Sequence, residues 1–375
     1  LRTAVLLALL ALGCTKPSEP SSRERAAPAP SASALGAASA PRALDLGIAS
    51  TPPSAPAPPL RMTVRFYDVG QGLAALVELP GGEHVLVDTG DRAGRAGCGE
   101  PCGFADRHLI ARLRDDLRGA PIDLVWITHP HSDHLGGVEE VFRAFSVRAY
   151  VDNGRDVRRA EVVRARRAAL DHHATVAVVD PGHVALPIPA PAHVTLTPVV
   201  PERWPAACAH DANECSIALR IDFGASSVLF TGDAEHEEEA MLDPRGPVTL
   251  LQVGHHGSET SSSPVFLSRV RPRYAVVSAG EPGEGLNREY CHPSALVVRR
   301  LTHLLGGPAS STLQAFDGDR CDRAQASDWV AVPSSDALWA TERDGDIVLS
   351  TTGDGEFRRE PGPARSASRL PRGRF

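Results

Sequence analysis

The sequence predicts an α/β layered domain, and three observations predict it. Short runs of alternating or continuous apolar residues recur through the middle of the chain at strand length. Helical stretches lie between them, the pattern that stacks helices on sheets. Several of the strand-like runs end on Asp, His and Gly, residues of tight turns and polar sites rather than of cores. The chain has 375 residues with 42% hydrophobic content, room for one large domain or two small ones.

The elements follow in order. Residues 62–68 alternate apolar and polar, as a half-buried strand does. Residues 74–79 and 84–87 read as the next strands, split by the Gly81-Gly82 turn. A helix is expected at 107–117. Residues 122–128 form a short apolar strand that runs straight into histidines. Helices follow at 137–145 and 160–172. Strands recur at 175–179, 193–198, 216–223, 227–231, 249–253 and 274–278. A helix at 293–305 and a strand at 347–350 complete the domain. Residues 351–375 are rich in Gly, Arg and Pro and read as a disordered tail.

The front of the chain has a different texture. Arg2 precedes an apolar run over residues 4–12, the length of a signal peptide and too short to cross a bilayer. Leu10-Ala11-Leu12-Gly13-Cys14 resembles a bacterial lipobox, in which Cys14 becomes the lipidated first residue. Residues 14–60 are dominated by Pro, Ala and Ser, which bury too little apolar surface to fold and form a semi-extended tether. The expected plan is a signal peptide at 1–13, a tether at 14–60, a folded domain at 61–350 and a tail at 351–375. It implies export and a lipid anchor in the cell envelope. Thr15, rather than Asp, after Cys14 points to the outer membrane where a cell has two.

The remaining cysteines are Cys98, Cys102, Cys208, Cys215, Cys291 and Cys321. An even number in an exported chain points to disulfides. Local pairs, Cys98 with Cys102 and Cys208 with Cys215, would leave Cys291 for Cys321. A structural zinc site at Cys98 and Cys102 is the alternative, though no second pair matches it.

A net charge of −7 disfavours tight nonspecific nucleic-acid binding. The Arg-rich stretch 155–167 could offset that locally, or simply be a solvated helix face. Lys16 is the only lysine.

The strongest chemical signal is His129-Pro130-His131-Ser132-Asp133-His134, directly after a strand. Imidazole and carboxylate are the ligands that Zn²⁺ and related divalent metals prefer. The spacing H-x-H lets two rings converge on one ion. Three other strand ends share this character: Val87-Asp88-Thr89-Gly90, Phe230-Thr231-Gly232-Asp233 and Gln252-Val253-Gly254-His255-His256-Gly257-Ser258. Together they form a candidate two-metal site.

These blocks, with Tyr67-Asp68-Val69-Gly70-Gln71-Gly72, residues 213–216, Asn287 and Tyr290-Cys291-His292-Pro293, resemble the metallo-β-lactamase superfamily. Within it they are most similar to the hydrolase domain of the competence protein ComEC. The resemblance implies a four-layer αββα sandwich and one or two divalent metal ions, Zn²⁺ foremost and Mn²⁺ next. By that pattern His129 and His131 hold one metal, Asp133, His134 and His255 the other, and Asp233 bridges. Asp88 orients ligands from behind. His256 and His292 face the substrate as phosphate contacts or proton donors, completing a catalytic set with Asp133 and His134. The implied function is a metal-dependent hydrolase in which the metal lowers the pKa of water toward ~7, acting on a phosphodiester such as nucleic acid. The alternatives are another ester or lactam substrate, or a metal-binding surface lipoprotein without activity.

Two departures stand out. Superfamily sites carry a further His before the bridging Asp, where Thr197 stands here, with His183, His193 and His210 nearby. A one-metal enzyme would follow if none of these replaces it. Cys291 sits where the pattern has Gly.

Overall fold

The computed structural model describes residues 59–362. The expected signal peptide at 1–13, the expected lipidation at Cys14, the expected tether up to residue 58 and the chain from residue 363 lie outside the described residues.

The first sheet holds β1 (Met62–Phe66), β2 (Ala75–Glu78), β3 (His84–Val87), β4 (Leu124–Trp126), β5 (Ala149–Asp152) and β6 (Thr175–Val178). The second holds β7 (Val194–Val199), β8 (Ala218–Phe223), β9 (Ser226–Phe230), β10 (Leu250–Gln252) and β11 (Tyr274–Val277). A separate hairpin pairs β12 (Ser311–Phe316) with β13 (Trp329–Ser334). β14 (Leu338–Ala340) then joins the second sheet beside β11. β15 (Ile347–Thr351) and β16 (Arg358–Arg359) return to the first sheet beside β1. The helical segments are α1 (Glu100–Leu117), α2 (Ser132–Leu135), α3 (Val138–Ala144), α4 (Ala160–Asp171), α5 (His236–Met241), α6 (Pro264–Val270), α7 (Asn287–Tyr290), α8 (Ala295–Leu305) and α9 (Thr341–Asp344).

Side-chain alternation sorts the apolar residues into layers. Met62, Val64 and Phe66 of β1, Val85 and Val87 of β3, and Leu124 and Trp126 of β4 face Leu219, Ile221, Val228 and Phe230 across the space between the sheets. Phe66 and Phe230 meet there, ring centroids 5.8 Å apart. The intervening residues point outward. Leu86 and Val125 pack on Leu109, Leu113 and Phe142 of the outer helices. Leu229, Leu251 and Ala275 pack on Phe266 and Leu301. Helices thus cover both outer faces, and the architecture is the four-layer αββα sandwich expected.

Strands β3 to β6 run parallel, as do β9, β10, β11 and β14. Parallel strands send their carboxyl ends to one edge, where loops converge. Asp88, His129, Asp233 and the pair His255-His256 all follow the carboxyl ends of such strands.

The structure departs from expectation in particular places. The helix expected at 107–117 begins at Glu100, with a proline in its first turn. β5, α5, α6, the β12–β13 hairpin and β14 had no counterpart in the pattern reading. The tail expected to be disordered from 351 is ordered to at least 359. Gly353 and Gly355, both at positive φ, turn the chain back. Phe357 is buried and β16 pairs with β15. The three disulfides are Cys98–Cys102, Cys208–Cys215 and Cys291–Cys321, so Cys98 and Cys102 are bonded to each other and are not zinc ligands.

One buried acid makes a testable stability device. Glu238 of α5 is inaccessible, one carboxylate oxygen accepting the Ser216 N–H at 3.0 Å. Burial holds its pKa well above the ordinary glutamate value, and Glu214 and Glu239 add to this. The folded state therefore keeps this proton longer than the unfolded chain. As pH rises past about 4.3 the unfolded chain ionises first, and stability falls by up to about 1.4 kcal/mol per pH unit until the folded group also titrates. Glu238→Gln keeps the acceptor and removes the titration. Urea denaturation from pH 5 to 8 is expected to show the variant losing less stability than the parent; parallel curves would refute the buried-acid account.

Candidate metal centre

The centre is assembled from four strand ends. Gly232 lies at φ 57 and packs so closely that a Cβ there would stand 2.6 Å from Thr128 Cβ, so only Gly fits. The Gln252 side chain clamps this turn: its oxygen accepts the N–H groups of Thr231 and Gly232, and its amide donates to the Gly232 carbonyl. Asp233 is thereby fixed against the first sheet's loops. His255 and His256 both have left-handed backbone, φ 47 and 54, a sparsely populated state for non-Gly residues that concentrates at functional sites. It splays the two adjacent rings.

Asp233 Oδ2 is the hub. It lies 3.2 Å from His134 Nε2, 3.4 Å from His256 Nε2, 3.8 Å from His129 Nε2 and 3.9 Å from His255 Nε2. His134 Nε2 and His256 Nε2 are 3.2 Å apart, and His129 Nε2 is 3.1 Å from His131 Nδ1. Asp133 Oδ2 is 3.6 Å from His256 Nε2. Two sets of donors therefore close on a point: His129, His134 and Asp233, and Asp133, His134 and His256.

His256 stands where His255 was expected. It is buried and faces Asp133, His134 and Asp233. His255 is partly exposed, its Nδ1 2.9 Å from Glu235 Oε1. Adjacent positions in sequence do not say which ring turns inward; the left-handed pair decides it. The other expected residues, His129, His131, Asp133, His134, Asp233 and His292, are brought together.

The far side of each ring is held as well. His134 Nδ1 is 2.7 Å from Asp88 Oδ2, and His256 Nδ1 donates to the Ser278 carbonyl at 2.7 Å. His129 Nδ1 is 3.1 Å from Thr128 Oγ1. Asp88 thus holds the outer nitrogen of His134. Fixing the outer nitrogen directs the inner lone pair at a common point.

The electrostatics match. Burial and the nearby His134 pull His129 well below the ordinary histidine value, so it is neutral. Burial opposes charge on His134, but Asp233 and Asp88 outweigh it and hold that ring well above the ordinary value. The same contest, with Asp233 and Asp133, raises His256 to about 9. The neighbouring imidazoles counter burial at Asp233 and keep its carboxyl well below the usual range. Asp233 Oδ1 is buried without a hydrogen-bond partner. Crowded imidazole nitrogens and an orphaned carboxylate oxygen need shared cationic charge. The donor set is the one divalent metals take, so these groups can hold a metal.

A cavity of about 250 Å³ opens over the centre. Its walls add Gln71, Arg95, Ser132, Arg159, Asn213 and Tyr290 to the residues above, without an aliphatic side chain. Arg95 was not foreseen as a site residue, and Arg159 was read only as part of the Arg-rich stretch 155–167. They reach the site from the loops after β3 and β5, a convergence that spacing cannot reveal. His183, His193 and His210 are exposed and absent from the cavity wall. Thr197 pairs with Arg220 between β7 and β8. Asn213 occupies the wall on that side of the sandwich, its amide 3.1 Å from Glu235 Oε1 and its oxygen buried without a partner. Cys291 ends α7 at φ 55, a left-handed position that accounts for Gly in the related pattern.

A family model described as the metallo-beta-lactamase superfamily matches residues 67–281. Recombination protein 2 of Haemophilus influenzae is 30% identical over 217 residues, covering 57% of this chain and 24% of that protein. ComE operon protein 3 of Bacillus subtilis is 29% identical over 248 residues, 64% of this chain and 30% of that one. Competence protein ComA of Neisseria gonorrhoeae is 30% identical over 242 residues, 64% and 29%. The chain spans less than a third of the length of these relatives. With a family match over more than half its length and the fold and strand-end residues to go with it, this chain belongs to the metallo-β-lactamase superfamily.

Proposed function

We propose that the chain is an exported metal-dependent hydrolase of phosphodiesters, anchored through a lipid on Cys14. The observation that carries the substrate class is the cavity wall. A site for an apolar acyl or lactam substrate would offer aliphatic surface. This one offers none, and it places two guanidinium groups, Arg95 and Arg159, beside the metal-binding residues. Guanidinium is the group of choice for phosphate oxygens. Relatives named for recombination and competence favour a nucleic-acid strand among phosphodiesters. The three disulfides favour an oxidising compartment.

His129, His131 and Asp233 would hold one ion, and Asp133, His134, His256 and Asp233 the other. When bound, such a metal supplies Lewis acidity toward a phosphoryl oxygen and lowers the pKa of water. The chain's own residues do the rest. Asp88 and Ser278 orient His134 and His256. Arg95 and Arg159 neutralise the diester. Burial, with His255 and His256 nearby, lowers His292 to about 3, so it meets the substrate as a neutral hydrogen-bonding ring rather than as a cation.

The test pairs two readouts on the full chain expressed in an oxidising compartment. Elemental analysis is expected to find two zinc or manganese ions per chain. Hydrolysis of bis-p-nitrophenyl phosphate is expected to fall on the order of 100-fold in His131→Ala. Metal without turnover on any phosphodiester would leave a metal-binding surface lipoprotein; folded protein with neither would sink both readings.

A further inference from the structure

We propose that Tyr290 is the proton donor to the leaving oxygen, with Arg95 as its positioning residue; this rests on the hydrolase reading above. Tyr290 lies in the cavity wall with Asp133, Asp233 and His292. Its phenol oxygen accepts an N–H from Arg95 Nη2 at 3.0 Å. Among the described residues no acceptor lies within hydrogen-bond distance of that hydroxyl. The oxygen is therefore engaged from behind while its proton is free for whatever enters the cavity.

Arg95 is itself fixed. Its Nη1 donates to Asp91 and Ser132, and Asp91 is buried. The Tyr290 ring is held too. It packs with Cys98, Cys102 and Leu286 on one side and stacks on His292, centroids 6.3 Å apart at 25°, on the other. The disulfides Cys98–Cys102 and Cys291–Cys321 flank the pair, one closing the loop beyond Arg95 and one starting at the residue after Tyr290. A donor held this firmly is what directional proton transfer needs. His256 is unsuited to the task, because its Nδ1 serves Ser278 and its Nε2 faces the carboxylates.

In the step, water oxygen forms the new bond to phosphorus and the bond from phosphorus to the leaving oxygen breaks. That oxygen takes the bonding electron pair and the Tyr290 proton, and departs as an alcohol. The phenolate is stabilised by the Arg95 guanidinium. The proton shed by the attacking water passes to solvent, from which the phenolate recovers its own.

A leaving group that is already a stable anion needs no proton, and the test uses this. Full chain from an oxidising compartment is assayed on p-nitrophenyl methyl phosphate and on phenyl methyl phosphate. Tyr290→Phe is expected to lose on the order of 100-fold in kcat on the phenyl ester and less than about threefold on the p-nitrophenyl ester. Arg95→Lys, which keeps the charge and loses the fork, is expected to lower kcat more on the phenyl ester than on the p-nitrophenyl ester, while its weaker hold on the diester raises KM on both alike. Wild-type metal content and melting temperature in both variants would exclude a folding defect. Equal losses on the two esters overturn the assignment and leave the hydrolase standing. Selective loss in His292→Ala but not in Tyr290→Phe moves the proton to His292. A wild-type protein inactive on both esters overturns the hydrolase reading, and this assignment with it.

Discussion

Asp233→Asn is expected to lower phosphodiester hydrolysis on the order of 10³-fold and to reduce bound metal. One oxygen of this carboxylate lies within 3.9 Å of four imidazole nitrogens, and the other is buried without a partner. Asn has the same shape, so no cavity opens and packing is not the cause. What changes is charge. The amide carries none, and its NH₂ either faces imidazole lone pairs or sits buried without an acceptor. Removing one partner of a buried ion pair costs about 3–5 kcal/mol. At 1.36 kcal/mol per decade that is about two to four decades in a rate or binding constant. The metal-free protein should also melt earlier, because His134 and His256 lose the carboxylate that supports their charge. Metal titration by calorimetry, melting curves and turnover check the three consequences separately. Activity within tenfold of the parent, with full metal content, would remove Asp233 from the centre of the site.

Much of this site was legible because its residues sit where pattern and chemistry coincide. Val85 and Val87 alternate with Leu86, and Asp88 then breaks the strand with a charge that burial would forbid without partners. The same holds for Phe230 before Asp233. Legibility failed where the information is three-dimensional. β5 is four consecutive buried residues between helices, too short and too uniform to show a period. β12 and β13 hide because Ala315 and Ala331 are weak apolar signals and the connection between them is rich in Arg and Asp. Arg95 and Tyr290 are 195 residues apart and meet only because the loops after β3 and β11 share an edge. The inward turn of His256 depends on backbone dihedrals at two adjacent residues, which composition does not encode. Elements set by periodicity were readable; directions and long-range convergences were not.

Asp88→Asn tests the layer behind the ligands, and its expected effect is a 10- to 100-fold loss of metal affinity. Asp88 is fully buried at φ 55. Asn tolerates that conformation nearly as well, so backbone strain is not introduced. The carboxylate accepts the Thr128 N–H at 2.8 Å, the Thr128 hydroxyl at 2.7 Å and the proton on His134 Nδ1 at 2.7 Å. Asn can keep its carbonyl on the Thr128 N–H, which places its NH₂ against His134 Nδ1. A donor there requires Nδ1 to be the lone-pair nitrogen. The ring proton then moves to Nε2, the nitrogen that faces Asp233 and His256. A protonated Nε2 cannot offer a pair to a metal, so the ligand is disabled by its tautomer while remaining in place. The signature is specific: KM close to the parent, affinity for Zn²⁺ reduced, kcat partly restored by excess metal, and earlier melting of the metal-free protein, because His134 loses one of the two carboxylates that support its charge. Nitrogen-15 NMR of the His134 ring with metal supplied would report the proton at Nδ1 alone in the parent and at Nε2 in the variant. An unchanged tautomer with unchanged metal affinity would show that Asp88 only ties β3 to β4.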